Sequence, residues 1–533
     1  MSSAAHEPCN KAVILSGKAV SSCPQNQGRW ILAATILASS MAFIDGTVVN
    51  VALPFLQKEL NATAIGVQWV VESYSLFLAA LLLVGGSLGD RYGRRLIFLI
   101  GVGIFAIASA ACGLSQSIGQ LIVARAVQGI GGALLVPGSL AIISASFGED
   151  QRGKAIGTWS GFSAITTAIG PVLGGWLVEH VSWRAVFFIN IPFAIAVVLI
   201  SIRHVPESRE RGAHGSLDWM GAVSATLGLG GVVYGLIESS RVGFSNPAVI
   251  SSLALGVAVL CFFIINEARV RNPMVPLKLF RSKDFAGANL LTLFLYSALG
   301  ATLFFFALNL IQVQHYSATA AGSSFLPFVI IMFSLSRWSG GLVDRFGPRL
   351  PLTIGPLVAA LGFALFALPS TNVRYWTGFL PAVVVLGLGM AMAVAPLTTT
   401  VMGSVSSEQA GTASGINNAV SRAAGLIAIA VFGVVMLYSF GQSLSFRLTA
   451  IGLNEEVRKS IENQSMRLGG LEVPQNLDPS TRHTVEDAVG RSFVSGFRVV
   501  MIISALLALA SATSSLVFIG RSSGVSRGVR RKT

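Results

Sequence analysis

The sequence predicts an all-α protein that threads a lipid bilayer many times. Hydrophobic residues make up 53% of its 533 residues and charged residues 11%, where a soluble protein carries roughly 25% charged residues. The mean hydropathy is +0.71. The apolar residues are gathered into separate runs, each close to the length of about 20 residues that a helix needs to cross a bilayer.

Fourteen runs follow one another, near 31–53, 68–88, 96–114, 120–143, 154–177, 185–203, 218–238, 247–266, 286–312, 319–343, 350–369, 376–403, 411–439 and 493–519. Loop charge orients them. One set of alternate loops holds Arg91, Arg94, Arg95, Arg152, Lys154, Arg203, Arg269, Lys283, Arg345 and Arg349, and the C-terminal tail adds more. The short loops of the other set hold Lys58, Arg184, Arg241 and Arg374. Basic loops stay on the cytoplasmic side, so both termini are expected there, at a plasma or inner membrane. The segment 441–492 is expected outside, with a surface helix between Asn454 and Leu468.

The formal charge of +14 points to nucleic acid or acidic lipid. Its spread over short loops, with no basic face on a soluble domain, excludes nucleic acid. Cys9, Cys23, Cys112 and Cys261 form no disulfide or metal framework. No cleavable signal is visible, and the first run is expected to stay in the membrane.

A charged hairpin, Gly86-Ser-Leu-Gly89-Asp90-Arg91-Tyr-Gly93-Arg94-Arg95, separates spans two and three. A shorter copy, Gly341-Leu-Val-Asp344-Arg345-Phe-Gly347-Pro-Arg349, separates spans ten and eleven. Glycine at positions 93 and 347 suits a tight turn, because it tolerates positive φ. Repeated halves with a site between them are a common plan of membrane carriers. Both copies are expected on one face, with Asp90 paired to a basic group or a helix N-terminus. A six-plus-six repeat would place the copy after span eight, so two extra spans lie between the halves. The expected units are a tail at 1–29, a six-helix bundle at 30–203, two extra helices at 204–284, a second bundle at 285–519 and a basic tail at 520–533.

Three ionisable residues lie inside spans. With a rise of about 1.5 Å per residue, Asp45, Glu72 and Arg125 all fall roughly 6–9 Å below the outer edge of a core about 30 Å thick. Charges there must face one another or a wet cavity. Desolvation favours a neutral carboxyl and a nearby guanidinium a charged one. Asp45 is therefore the candidate proton site, Arg125 its partner and Glu72 an auxiliary carboxylate. The competing reading is a structural Asp45–Arg125 pair that fixes packing, with Glu72 simply solvated near the interface. Arg422 lies mid-span and is expected to face the interior; Arg337 can snorkel. In span five, Gly157 and Gly161, and then Gly170 and Gly174, are spaced to admit neighbouring helices. The two pairs fall on nearly opposite sides, so span five is expected to touch two partners. Pro171 can kink the helix.

Together these residues resemble the major facilitator superfamily, in its branch of fourteen-span drug:H+ antiporters. The run from Phe43 to Pro54 resembles the first-helix motif of that branch, and Gly86–Arg95 the loop motif that gates the inner side. Arg125-Ala-Val-Gln128-Gly129 resembles the fourth-helix motif, whose Arg is linked to proton coupling. Gly170-Pro171-x-x-Gly174-Gly175 resembles the helix-five antiporter motif, and the run Trp183–Pro192 also fits. Ala423 departs from the pattern, which has Gln after the counterpart of Arg422.

The resemblance implies a major facilitator fold of two six-helix bundles plus two central spans. It implies proton-coupled export of small amphipathic molecules by alternating access. Gating would fall to Gly89, Asp90, Arg91, Gly93, Arg94, Asp344, Arg345 and Gly347. The substrate cavity would include Asn50, Gln128 and Arg422. Glu72 hints at cationic substrates. The alternatives are a membrane sensor or assembly factor of the same fold, or a carrier of one endogenous metabolite. No Gly-rich phosphate loop, His-Glu-x-x-His or metal cluster points to an enzyme or an ATP-driven pump. No cofactor and no metal are expected, and nothing in the sequence specifies a periplasmic adaptor.

Overall fold

The computed structural model describes residues 25–209, 218–406 and 409–520. The two tails, with their basic residues, lie outside the described residues, as do residues 210–217 and the side chains of Arg152, Arg337 and Asp344. Among the described residues the regular structure is entirely helical.

Fourteen of these helices are long and apolar enough to cross a membrane. They are α1 (Gln27–Glu59), α2 (Ala64–Tyr92), α3 (Arg94–Leu114), α4 (Ile118–Ser146), α5 (Lys154–His180), α6 (Ala185–His204), α7 (Trp219–Val242), α8 (Pro247–Arg269), α9 (Lys283–Val313), α10 (Ala318–Ser336), α11 (Arg349–Phe366), α12 (Leu380–Gly403), α13 (Ala410–Ile451) and α14 (Pro479–Phe518). The protein is a multi-pass membrane protein.

Local chemistry sets the ends. Thr63 accepts a hydrogen bond from Gly66 N, Ser117 from Gln120 N and Ser282 from Phe285 N, which satisfies donors that the first turns of α2, α4 and α9 leave free. Asp478 caps α14 ahead of Pro479, and hydrogen bonds from Thr481 and Ser480 hold its carboxyl down at about 2. Gly93 (φ 121°) and Gly347 (φ 74°) turn the two charged hairpins in backbone that L side chains rarely adopt.

Two helices run well past the apolar stretches that mark them. α13 continues to Ile451 and α14 begins at Pro479, so much of 441–492 is helix. Hydropathy ends where lipid ends, but a helix can continue in water, and α14 does so on ion pairs one turn apart. Arg482 pairs with Glu486 at 3.0 Å and Arg491 with Asp487 at 2.7 Å. The surface helix between these two covers Glu455–Glu462, followed by a 3-10 turn at Ser465–Gly470.

The threading has two faces. On the terminal face, Arg94 N donates to Ser208 O at 2.8 Å, Arg349 to Leu516 O at 2.5 Å and Gly520 N to Asp284 at 2.8 Å. Both charged hairpins lie on this face. Asp90 pairs with Arg94 at 2.8 Å, one turn on within its own hairpin, and Arg91 lies over the Tyr92 ring. Glu207 accepts from Arg95 N and Leu96 N, which caps α3. On the opposite loop face, Glu59 binds Arg184 and accepts from Trp183 Nε1.

α7 and α8 pack on each other at Gly231 and Gly256, where an added Cβ would meet the partner backbone. α7 also rests on α2 and α13. α8 turns Leu255, Ile264 and Ile265 outward, as a lipid-facing helix does.

The first six helices and the last six meet tightly at the loop face. Gln312 Nε2 donates to Gln57 Oε1 at 2.9 Å, and Gln57 Nε2 donates to Arg467 O at 3.0 Å. Gln68 Nε2 donates to Ile429 O at 3.0 Å. Thr319 donates to Glu179 through its backbone N (3.1 Å) and its hydroxyl (2.6 Å). Between α5 and α10, a Cβ on Gly175 would strike the Ala318 backbone, and one on Gly322 the Pro171 backbone.

This seam predicts that Gly322→Val lowers the melting temperature in detergent, by the equivalent of about 1–3 kcal/mol for overpacking. A variant that melts with the unmodified protein would show that the close approach of α5 and α10 carries no stability.

Candidate functional site

α1 has two working faces. One carries Asp45 inward among the first six helices. The other carries Phe43, Gly46 and Asn50, which are part-exposed or exposed. A Cβ on Gly46 would meet no atom within 4 Å, so this face borders open space.

Asp45 is fully buried and meets Arg125 of α4 at 2.5 Å. Arg125 also donates to Gln128 Oε1 at 2.7 Å, and Gln128 Nε2 donates to Asp45 Oδ1 at 2.8 Å. Three side chains thus close a ring. Around it, Asn190 of α6 donates to Ser109 Oγ at 3.0 Å and to Asp45 Oδ1 at 3.4 Å. Ser109 of α3 donates on to Phe187 O at 2.8 Å. Arg125 Nε reaches the Val70 carbonyl of α2 at 3.1 Å, and its guanidinium lies 4.2 Å from the Tyr74 ring centroid.

Every part of this cluster supports another. Carboxylate oxygens accept, guanidinium and amide nitrogens donate, and an aromatic face covers the cation. Asp45, Arg125, Gln128, Asn190 and Ser109 are all at most 1% exposed. Such a pair is expensive to break, because removing one partner leaves a buried charge, at about 3–5 kcal/mol.

The helix-five motif holds α1 from the other side. A Cβ on Gly170 would strike Thr47, and one on Gly174 would strike Val48. Gly175 and the Pro171 carbonyl meet α10 instead. α5 does touch two partners, but both contacts come from the Gly170–Gly175 stretch. A Cβ on Gly157 or Gly161 would meet nothing within 4 Å, contrary to the expectation that this pair seats a helix. The two-partner pattern arises from adjacent glycines at 174 and 175, about 100° apart on the helix.

Two expectations need correction. Gln128 was expected to line the substrate cavity, yet it is 0% exposed and belongs to the Asp45 ring. Glu72 was expected to join Asp45 and Arg125 at one level. It lies about 200° around α2 from Tyr74, the residue that faces Arg125. Its side of α2 carries Ile65, Trp69 and Leu76, which pack with Val233 and Ile237 of α7 and Leu426 and Ala430 of α13. Glu72 is 0% exposed and neither carboxyl oxygen has a hydrogen-bond partner among the described residues. Depth alone had placed it with Asp45; the side of the helix it occupies separates the two.

Asn50 and Arg422 are both part-exposed on their helices. Asn190, Ser109 and Tyr74 belong to the cluster without having been singled out. Asn190 carried a signal, since a lone amide within an apolar run needs a buried partner. Ser109 carried none, because serines are common in such helices and usually bond their own backbone.

The described geometry can now be set beside known proteins. Residues 35–429 match the family model of the Major Facilitator Superfamily. The chain belongs to the major facilitator superfamily. Among curated superfamily members it is similar to the tetracenomycin C resistance and export protein of Streptomyces glaucescens. The two are 33% identical over 492 residues, which is 91% of this chain and 90% of that one. It is also 32% identical over 497 residues to the multidrug resistance protein Stp of Mycobacterium tuberculosis, covering 92% and 90% of the two chains. Among solved structures, a bacterial homologue of the human lysosomal transporter Spinster, inward-facing and unoccupied, shares the fold. Its TM-score is 0.65 at 18% identity, with 92% of this chain and 98% of that one covered.

The isolation of Glu72 predicts that Glu72→Leu raises the melting temperature in detergent. Removing a buried acid without partners gains about 1–3 kcal/mol. A lower melting temperature would show that the carboxyl has a partner in the folded protein.

Proposed function

We propose that the protein exports small amphipathic molecules in exchange for protons, by alternating access between the halves at 30–203 and 285–519. Of the helices of 204–284, α7 stands beside α2 and α13 and α8 packs on α7 in this scheme. The observation that carries the reading is the dry ring of Asp45, Arg125 and Gln128, set on one face of α1 while the other face borders open space. Export is supported by the relatives, which are named for resistance and export.

The chain's own residues supply a coupling route. A proton on Asp45 would neutralise its carboxylate and weaken its hold on Arg125. α1 would then shift against α4, and α1 is the helix on which α5 lies through Gly170 and Gly174. α5 in turn forms the seam with α10. Proton binding at Asp45 and closure at the loop face are thereby linked through two helices. Proton and cargo each bias the same equilibrium between two states, which is all that exchange requires. Glu72 stands outside this route, against α7 and α13.

The termini are proposed to be cytoplasmic at the plasma membrane, on the loop-charge argument. The hairpins at Gly89–Arg94 and Asp344–Gly347 would then gate the cytoplasmic side. The seam at Gln57, Gln312 and Glu179 would close the outside, which makes this conformation the inward-open one.

In proteoliposomes, Asp45→Asn should cut uphill dye transport driven by a pH gradient at least about tenfold, because the group that exchanges the proton is gone. Downhill counterflow should persist. Uphill transport at the normal rate in the variant would remove Asp45 from the mechanism. Orientation has its own check: Gln475→Cys, in a protein whose four native cysteines are replaced, should react with an impermeant maleimide on intact cells. Labelling that requires permeabilised cells would invert the topology.

A further inference from the structure

Arg422 of α13 makes no hydrogen bond or ion pair among the described residues. It lies roughly 18 Å from the terminal-face end of its helix, at about 1.5 Å per residue. Its neighbours along the helix show where it points. Gly415 lies against Leu83 of α2, Ala419 packs on the core of the first half, and Leu426 packs with Leu76 of α2. Arg422 follows Ala419 by three residues and precedes Leu426 by four. Steps of three and four keep to one side of a helix, so Arg422 points from the second half toward the first.

The strip of α13 that adjoins Arg422 on its other flank is open. Arg422, Ser414 and Ser421 are part-exposed and Asn418 is exposed. Polar and charged groups at this depth do not face lipid; they line a wet cleft.

The charges around the cleft do not cancel. Asp45 and Arg125 neutralise each other inside the first half. Glu72 is fully buried on the side of α2 that packs on α7 and α13, and forms no ion pair with Arg422 among the described residues. A cleft with low-dielectric walls and a cation left uncompensated by the described residues concentrates anions.

We propose that Arg422 is the anion-binding residue of the cleft, and that the favoured cargo carries a carboxylate or an acidic phenol on an apolar body. This rests on the export reading above and names its substrate class. A guanidinium presents parallel N–H donors that match two carboxylate oxygens, which an ammonium does not. The cationic preference suggested by Glu72 is replaced, because that carboxyl does not reach the cleft.

Equilibrium binding to the purified full chain in detergent tests this without any gradient, so it remains readable if proton coupling fails. Fluorescein serves as the anionic probe and ethidium as the cationic one, both read by fluorescence anisotropy. Arg422→Gln should lower the ratio of fluorescein to ethidium affinity about ten- to a hundredfold, the size of one charge-assisted hydrogen bond. Arg422→Lys, which keeps the charge but loses the paired donors, should restore only part of the ratio. An unchanged ratio in Arg422→Gln, or equal loss of both dyes, overturns the proposal. If Arg422→Gln fails to fold, the unmodified protein decides. There decanoate should displace fluorescein at a concentration at least about tenfold lower than decyltrimethylammonium does, on the same charge-assisted bond. The reverse order overturns the proposal.

Discussion

The burial of Asp45 against Arg125 is the constraint on which the first half depends. In hydrocarbon neither charge has water to turn to, so each must be met by the protein. That requirement recruits residues from five helices. α1 brings the carboxylate, α4 brings the guanidinium and Gln128, α3 brings Ser109, α6 brings Asn190, and α2 offers a carbonyl and the Tyr74 ring. No pair among these helices can move far without leaving a polar group unpaired. The first half is therefore held as one body by a polar cluster, with its apolar core packed around it.

The seam between the halves follows different physics. Lipid tails are as apolar as the side chains, so burial of apolar surface does little to bring helices together here. Close backbone approach does the work at α5 and α10, where Gly175 and Gly322 let each backbone reach the other. The hydrogen bonds at Gln57, Gln68, Gln312 and Glu179 lie at the end of the bundle, where water can replace them as they break. A contact of this kind can open and close; the Asp45 ring, fully dry, resists both as long as its ion pair is intact. Rigid halves with a reversible seam are what alternating access requires.

Arg422 and Glu72 show how the same rule gives two outcomes. Each is an intramembrane ionisable group without a hydrogen-bond or ion-pair partner among the described residues. Glu72 is enclosed by Trp69, Leu76 and the α7 side chains, so it has neither water nor a counter-ion. Arg422 is part-exposed and keeps access to water, and in the proposal above to cargo. An unpaired charge is informative about function when something can reach it.

The sequence by itself determined the number and order of the helices, because a bilayer leaves no other way to satisfy twenty apolar residues and their backbone. It also marked the charged hairpins, the Gly170–Gly175 stretch and the Asp45–Arg125 pair, since these break an apolar pattern where breaking it is expensive. It did not mark how far α13 and α14 extend, because polar helix in water leaves no hydropathy signal, and in α14 ion pairs hold it. Nor did it decide which charges meet. Depth follows from counting along one helix, but partnership depends on rotation about the helix axis relative to its neighbours, and that angle is set by packing. Only the tertiary structure could turn Glu72 away from Asp45, draw Gln128 and Asn190 into the ring, and leave Arg422 facing the cleft alone.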